Sequence, residues 1–177
     1  EEQGSSVSAY FSSVNYGKEY LKLDYSKELD RQRFLDLVKG ADVLLTNFKP
    51  GDTEKFQLTD EVLQEVNPQL IHGRISGFGQ ESDRVAYDLI LQAESGFMSM
   101  NGTPDSGPVK MPVALIDVLA AHQLKEGILV ALLQRTGDQK GKTVDVSLYD
   151  AAICSLINQA SNYLNAGFVA KRVGSLH

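Results

Sequence analysis

The chain has 177 residues, 42% of them hydrophobic and 23% charged, with a formal net charge of −6. That is enough chain for one domain with a real core, and an ordinary composition for a globular protein. The acidic balance argues against a nucleic-acid partner, because phosphate binding draws on a basic surface. No apolar run approaches the ~20 residues that a membrane span needs, so no membrane partner is expected.

The opening residues Glu1-Glu2-Gln3-Gly4-Ser5-Ser6 are acidic and polar, unlike a signal peptide. The single cysteine, Cys154, lies in an apolar stretch and reads as a core residue. It can form no intrachain disulfide, which fits a reducing cytoplasm. Three histidines and one cysteine are scattered without metal-ligand spacing, so no metal is expected.

In chain order, Tyr20 to Asp24 alternates like a short strand. A helix follows from about Glu28 to Lys39, with Leu29, Phe34, Leu35, Leu37 and Val38 as its apolar face and Gly40 as its stop. Asp42 to Thr46 is a second strand, broken by the loop Asn47-Phe48-Lys49-Pro50-Gly51. A helix near Thr59 to Glu65 precedes Asn67-Pro68, and Leu70 to Ser76 is a third strand ending at Gly77-Phe78-Gly79. This alternation predicts an α/β fold: a parallel sheet with flanking helices, whose ligands bind beyond the carboxyl ends of the strands.

The second half is more helical. Tyr87 to Met100 reads as a helix interrupted at Ser95-Gly96, and Asn101 to Met111 as a loop in which Gly102 serves the backbone. A long helix begins at or near Asp117 and runs to about Arg135. Thr143 to Leu148 alternates as a strand, and Asp150 to Asn165 is a largely apolar helix. Both ends read as cut, and the run of apolar helices calls for a larger body or a partner chain to cover it.

Several segments carry a resemblance. Gly40-Ala41-Asp42-Val43-Leu44-Leu45-Thr46-Asn47-Phe48-Lys49-Pro50-Gly51 resembles the ADVxxxNFxPG segment of the family III CoA-transferases. Ser12-Ser13-Val14-Asn15-Tyr16-Gly17-Lys18, Asn67-Pro68 with Ile75-Ser76-Gly77-Phe78-Gly79, Tyr87-Asp88-Leu89-Ile90-Leu91-Gln92-Ala93 and Gly141-Lys142-Thr143-Val144-Asp145-Val146-Ser147-Leu148-Tyr149-Asp150 resemble further segments of that family, in its order. The resemblance implies an intact enzyme about twice this length. Residues 1–177 would then be part of the large CoA-binding and catalytic domain, without the small C-terminal domain. It also implies an interlaced homodimer.

The implied reaction moves coenzyme A from an acyl-CoA thioester to a free carboxylic acid. On pattern alone, Asp117 is a helix N-cap. The resemblance makes it the nucleophile, forming a covalent aspartyl intermediate. A helix N-terminus would favour its ionised form. Asn47, Phe48 and Leu23 match positions at the CoA site, where the plain readings are a turn asparagine, a packed phenylalanine and a strand leucine. Lys49, Lys55 and Arg84 could meet CoA phosphates or simply be solvated. Lys27 lies one place away from a family lysine.

Tyr87 and Asp88 fall beside the implied substrate site, Asp88 also reading as a first-turn acid. The family's racemases carry histidine at the position of Tyr87, and a phenol is a poor base at neutral pH, which favours transfer over epimerisation. His72 and His122 read as structural, and Gly96 as a backbone requirement. Two alternatives stay open: a 2-methylacyl-CoA epimerase, and an inactive fragment with only a binding or structural role.

Overall fold

A computed structural model describes residues 8–84 and 86–176, so Glu1 to Val7, Val85 and His177 lie outside the described residues. Three parallel strands form one sheet in the order β1 (Val43–Thr46), β2 (Ile71–Ser76), β3 (Lys142–Ser147). The α/β class and the parallel arrangement expected from the sequence are therefore correct. Parallel neighbours need long crossovers, and these place helices on both faces of the sheet.

On one face, α2 (Glu28–Lys39) and α4 (Asp60–Val66) pack through Leu35, Val38 and Leu63 against Leu70 and Leu44. Thr59 stands at the N-cap of α4, and the short α3 (Asp52–Lys55) precedes it. On the other face lies α7 (Leu115–Asp138), with α5 (Asp88–Glu94) and α8 (Leu148–Cys154). Leu91, Ile116, Ala120, Leu148, Ala151 and Ala152 form the buried centre there. Contact between α7 and the sheet is close because two glycines permit it. A Cβ on Gly127 would stand 2.6 Å from Val144, and one on Gly73 would stand 2.9 Å from Leu45 and Ile128.

Four expectations need correction. Tyr20 to Asp24 is not a strand: no described strand pairs with it, and the Asp24 amide donates to the Asp30 carboxylate at 3.0 Å. Alternation prepares a strand, but a ladder partner makes one. The apolar stretch from Asp150 is two helices, α8 and α9 (Asn158–Ala166), not one. Ser155 bonds back to the Ala151 carbonyl at 2.7 Å, and Ile157 takes a positive φ of 44° that no helix continues through.

Asp117 is not the N-cap of the long helix. The helix begins one turn earlier, with Ala114 at the cap and no side-chain cap bond of its own. Cys154 is exposed rather than core. The buried stripe of α8 runs through Leu148, Ala151 and Ala152, and Cys154 falls off it.

The expected break at Ser95-Gly96 is present: α5 stops, Gly96 takes φ 91°, and α6 (Phe97–Met100) begins. Gly102 likewise takes φ 121°. The helix α1 (Ala9–Asn15), N-capped by Ser8, carried no apolar period and was not expected. Among the described residues, no helix is long and apolar enough to cross a membrane.

Candidate active site

The carboxyl ends of the three strands open into one cleft. It is lined by Thr46 and Asn47 after β1, Ile75 on β2 and Leu148 after β3, with Ala86, Tyr87, Asp88 and Asp117 closing the α7 side. Its volume is about 500 Å³, in the range of small-molecule sites. A second groove continues from it past Asn47, Phe48, Lys49, Gly77, Gly79 and Arg84. Four residues expected at the site (Asn47, Tyr87, Asp88 and Asp117) thus meet in one place, although they span 70 positions of sequence.

Asp117 sits in the first turn of α7. The amides of that turn need acceptors, and none of its own side chains supplies one. Asp88 does so from another helix: its Oδ1 accepts from the amide of Ile116 at 2.7 Å and from that of Asp117 at 3.2 Å. The other oxygen, Oδ2, accepts from Gln92 Nε2 at 2.5 Å. Gln92 is 1% exposed. It also donates to the Val113 carbonyl at 3.3 Å and accepts from the Met111 amide at 2.8 Å. Every polar group of that amide is in use.

Sequence reasoning gave Gln92 no role. The signal was there in its spacing of four from Asp88, which puts both on one helix face.

Asp117 is exposed at the cleft, and partial desolvation by the surrounding wall raises its proton affinity above the ordinary carboxylate value, with the negative charge of Asp88 raising it further. This has the opposite sign to the helix-terminus expectation. The dipole is present, but Asp88 already occupies the amides that would have stabilised the Asp117 anion. The result is an exposed carboxylate at an open cleft whose charge is poorly compensated.

Other expected positions separate into those at the cleft and those away from it. Arg84 lines the groove, its guanidinium 3.6 Å above the Phe78 ring and 2.5 Å from Glu94. It is held, not freely solvated. Lys49 lines the same groove. Phe48 lines it too, and also packs edge-on against Tyr25, with ring centroids 5.9 Å apart. The packed-phenylalanine reading is therefore compatible with a place on the groove wall.

Leu23 lines neither cleft nor groove; it is half-buried on the unpaired segment before α2. Lys55 lines neither as well, because α3 turns its ammonium over the Phe56 ring at 5.0 Å. Lys27 pairs with Asp24 at 3.5 Å on the surface. His122 is exposed on α7 beside Lys125, and His72 is buried between Thr46 and Asp60. Among the described residues, no cluster of three His, Cys, Asp or Glu side chains could hold a metal.

The profile of CoA-transferase family III matches residues 1–177. The chain belongs to CoA-transferase family III. Curated relatives in the family include an acetyl-CoA:oxalate CoA-transferase of Acetobacter aceti, 38% identical over 174 residues, covering 96% of this chain and 45% of the relative. A succinyl-CoA:mesaconate CoA-transferase of Haloarcula hispanica is 37% identical over 175 residues, covering 95% and 44%.

Among solved structures, that of a CaiB/BaiF family protein from Brucella suis superposes with a TM-score of 0.91 at 38% identity, covering 96% of this chain and 46% of the other. The chain therefore spans less than half the length of these family III relatives.

Proposed function

We propose that the protein of which these residues form a part transfers coenzyme A from an acyl-CoA thioester to a free carboxylic acid, with Asp117 as nucleophile. The observation that carries this reading is the Asp117 carboxylate itself. It stands at the cleft where the strand ends, Asn47 and Tyr87 converge, with its proton affinity raised by partial desolvation and by Asp88.

Oδ of Asp117 attacks the thioester carbon, the C–S bond breaks, and CoA leaves as thiolate from a mixed anhydride. The thiolate attacks Cγ of Asp117, breaking the anhydride C–O bond and releasing the donor acid as its carboxylate. The acceptor carboxylate then attacks Cγ of the aspartyl-CoA thioester and expels thiolate. Finally, thiolate attacks the acceptor's acyl carbon, freeing the Asp117 carboxylate. One thioester replaces another, so the exchange is nearly balanced in free energy, and each step has a good leaving group.

The groove beyond Asn47 fits the CoA arm. Lys49 and Arg84 would face its phosphates, Phe48 its apolar stretch, and Tyr87 and Asp88 would flank the acyl and acceptor groups. A homodimer with a cytoplasmic location would complete this reading, and apolar residues such as Leu164 (79% exposed) and Leu133 (71% exposed) are surface for another body to cover.

The test offers acyl-CoA donors and isotopically labelled dicarboxylic and monocarboxylic acids to a full-length form and to its Asp117→Asn variant. Label passing into a CoA thioester only with Asp117 intact supports the proposal. Equal transfer by the variant overturns it.

A further inference from the structure

A connected set of half-buried polar contacts beside the cleft runs through a side chain with no chemistry of its own. Gln92 lies on α5, one turn after Asp88, with its amide almost completely enclosed. One amide proton goes to Asp88 Oδ2 and the other to the Val113 carbonyl, while its oxygen takes the Met111 amide. It therefore grips both the carboxylate that caps α7 and the segment that leads into α7.

A helix that starts on Ala114 has no cap of its own. The position of its first turn rests on Asp88, and the Asp88 carboxylate is free to rotate away from those amides unless its second oxygen is held. An uncapped first turn frays. Asp117 lies within that turn, so fraying would displace the carboxylate from the cleft.

We propose that Gln92 is a positioning residue: acting through Asp88, it fixes the first turn of α7 and so the placement of the Asp117 carboxylate. This rests on the reading of Asp117 as nucleophile. Gln92 touches neither cleft nor groove, so it acts on turnover and not on the binding of acyl-CoA. A displacement of about 1 Å at a reacting group costs on the order of 10²-fold in rate.

Two variants test it in the full-length protein. Gln92→Leu keeps the volume and removes all three contacts. It is expected to lower kcat by ~10- to 100-fold, leave KM for acyl-CoA within about a factor of three, and speed amide hydrogen exchange at Ile116, Asp117 and Val118 while the strand amides stay protected. Gln92→Glu keeps the acceptor for the Met111 amide but sets a carboxyl against Asp88, the charged group within its reach. Turnover relative to the wild type at the same pH should recover as pH falls and the introduced carboxyl regains a proton to donate, the ratio cancelling the protonation of Asp117 common to both.

A purely structural role would melt the whole fold and show no such split or recovery. Unchanged kcat together with unchanged exchange at 116–118 would overturn the inference. If the wild type itself transfers no CoA, the functional reading fails, and exchange at 116–118 alone decides whether Gln92 holds the turn.

Discussion

Two charged groups of residues sit on opposite faces of the same sheet, and they are built on opposite rules. Beneath the face covered by α4, His72 is held between Thr46 Oγ1 at 2.9 Å and Asp60 Oδ1 at 2.8 Å. Arg74 then joins Asp60 at 2.8 Å to Asp145 on β3, which it grips with two nitrogens at 2.6 and 2.8 Å. Every charge there has an opposite neighbour, as burial requires. On the α7 face, Asp88 and Asp117 are two like charges, and the second has no compensating donor among the described residues. Compensation is what a stabilising group needs, and on the function proposed above its lack suits a group that reacts.

The largest effect expected from breaking this contrast is on activity. Asp117→Asn should reduce transfer in a full-length form by ~10³-fold or more. The same change should not lower stability. Because the folded state raises the proton affinity of Asp117, its stabilising contribution belongs to the protonated form. That contribution is present below the unfolded value and lost as pH rises through the folded one. At neutral pH the ionised side chain is a net strain, so the variant should melt at or above the wild-type temperature. A clear drop would show that Asp117 is structural.

Arg74→Met attacks the other group. It strips Asp60 and Asp145 of their cation and should cost ~2–3 kcal/mol in denaturant unfolding, less than a fully buried pair because Asp145 is 44% exposed. Activity per folded molecule should change little.

A smaller effect concerns pH. Burial holds the His72 imidazole below its ordinary value of 6.5, with Asp60 opposing that shift. Its share of stability is present above 6.5 and lost as pH falls toward the folded value. Melting temperature should therefore decline on that acid side, and His72→Gln should flatten the decline.

The smallest effect is expected from Tyr87→Phe. Tyr87 is 75% exposed and its hydroxyl bonds no described residue, so only a contact with the acceptor acid would register. A rise of ~3-fold in KM for that acid, with kcat kept, would sharpen the assignment.

Much of this is legible in the sequence. Local period and stop residues place α2, β1, β2 and the break at Gly96 to within a residue or two, because those signals act over a few neighbours. The family resemblance likewise assigns Asn47, Tyr87, Asp88 and Asp117 to one site, and all four line the cleft beyond the strand ends, where parallel sheets bind their ligands.

What escaped sequence reading depends on distant partners. Nothing near Asp117 says that its helix is capped by a residue 29 positions earlier, and nothing near Arg74 points to Asp145, 71 positions on. Tyr20 to Asp24 has the pattern of a strand and lacks the neighbour. Cys154 sits in an apolar stretch, but it falls off the buried stripe of α8 and faces out.

The central claim is that Asp117 becomes acylated, and trapping tests it most directly. A full-length form would be incubated with acyl-CoA, quenched with hydroxylamine and digested, and the peptide containing Asp117 read by mass spectrometry. The account predicts an aspartyl hydroxamate at Asp117, formed only when acyl-CoA is present. Transfer of CoA with Asp117 unmodified at every time point would contradict it.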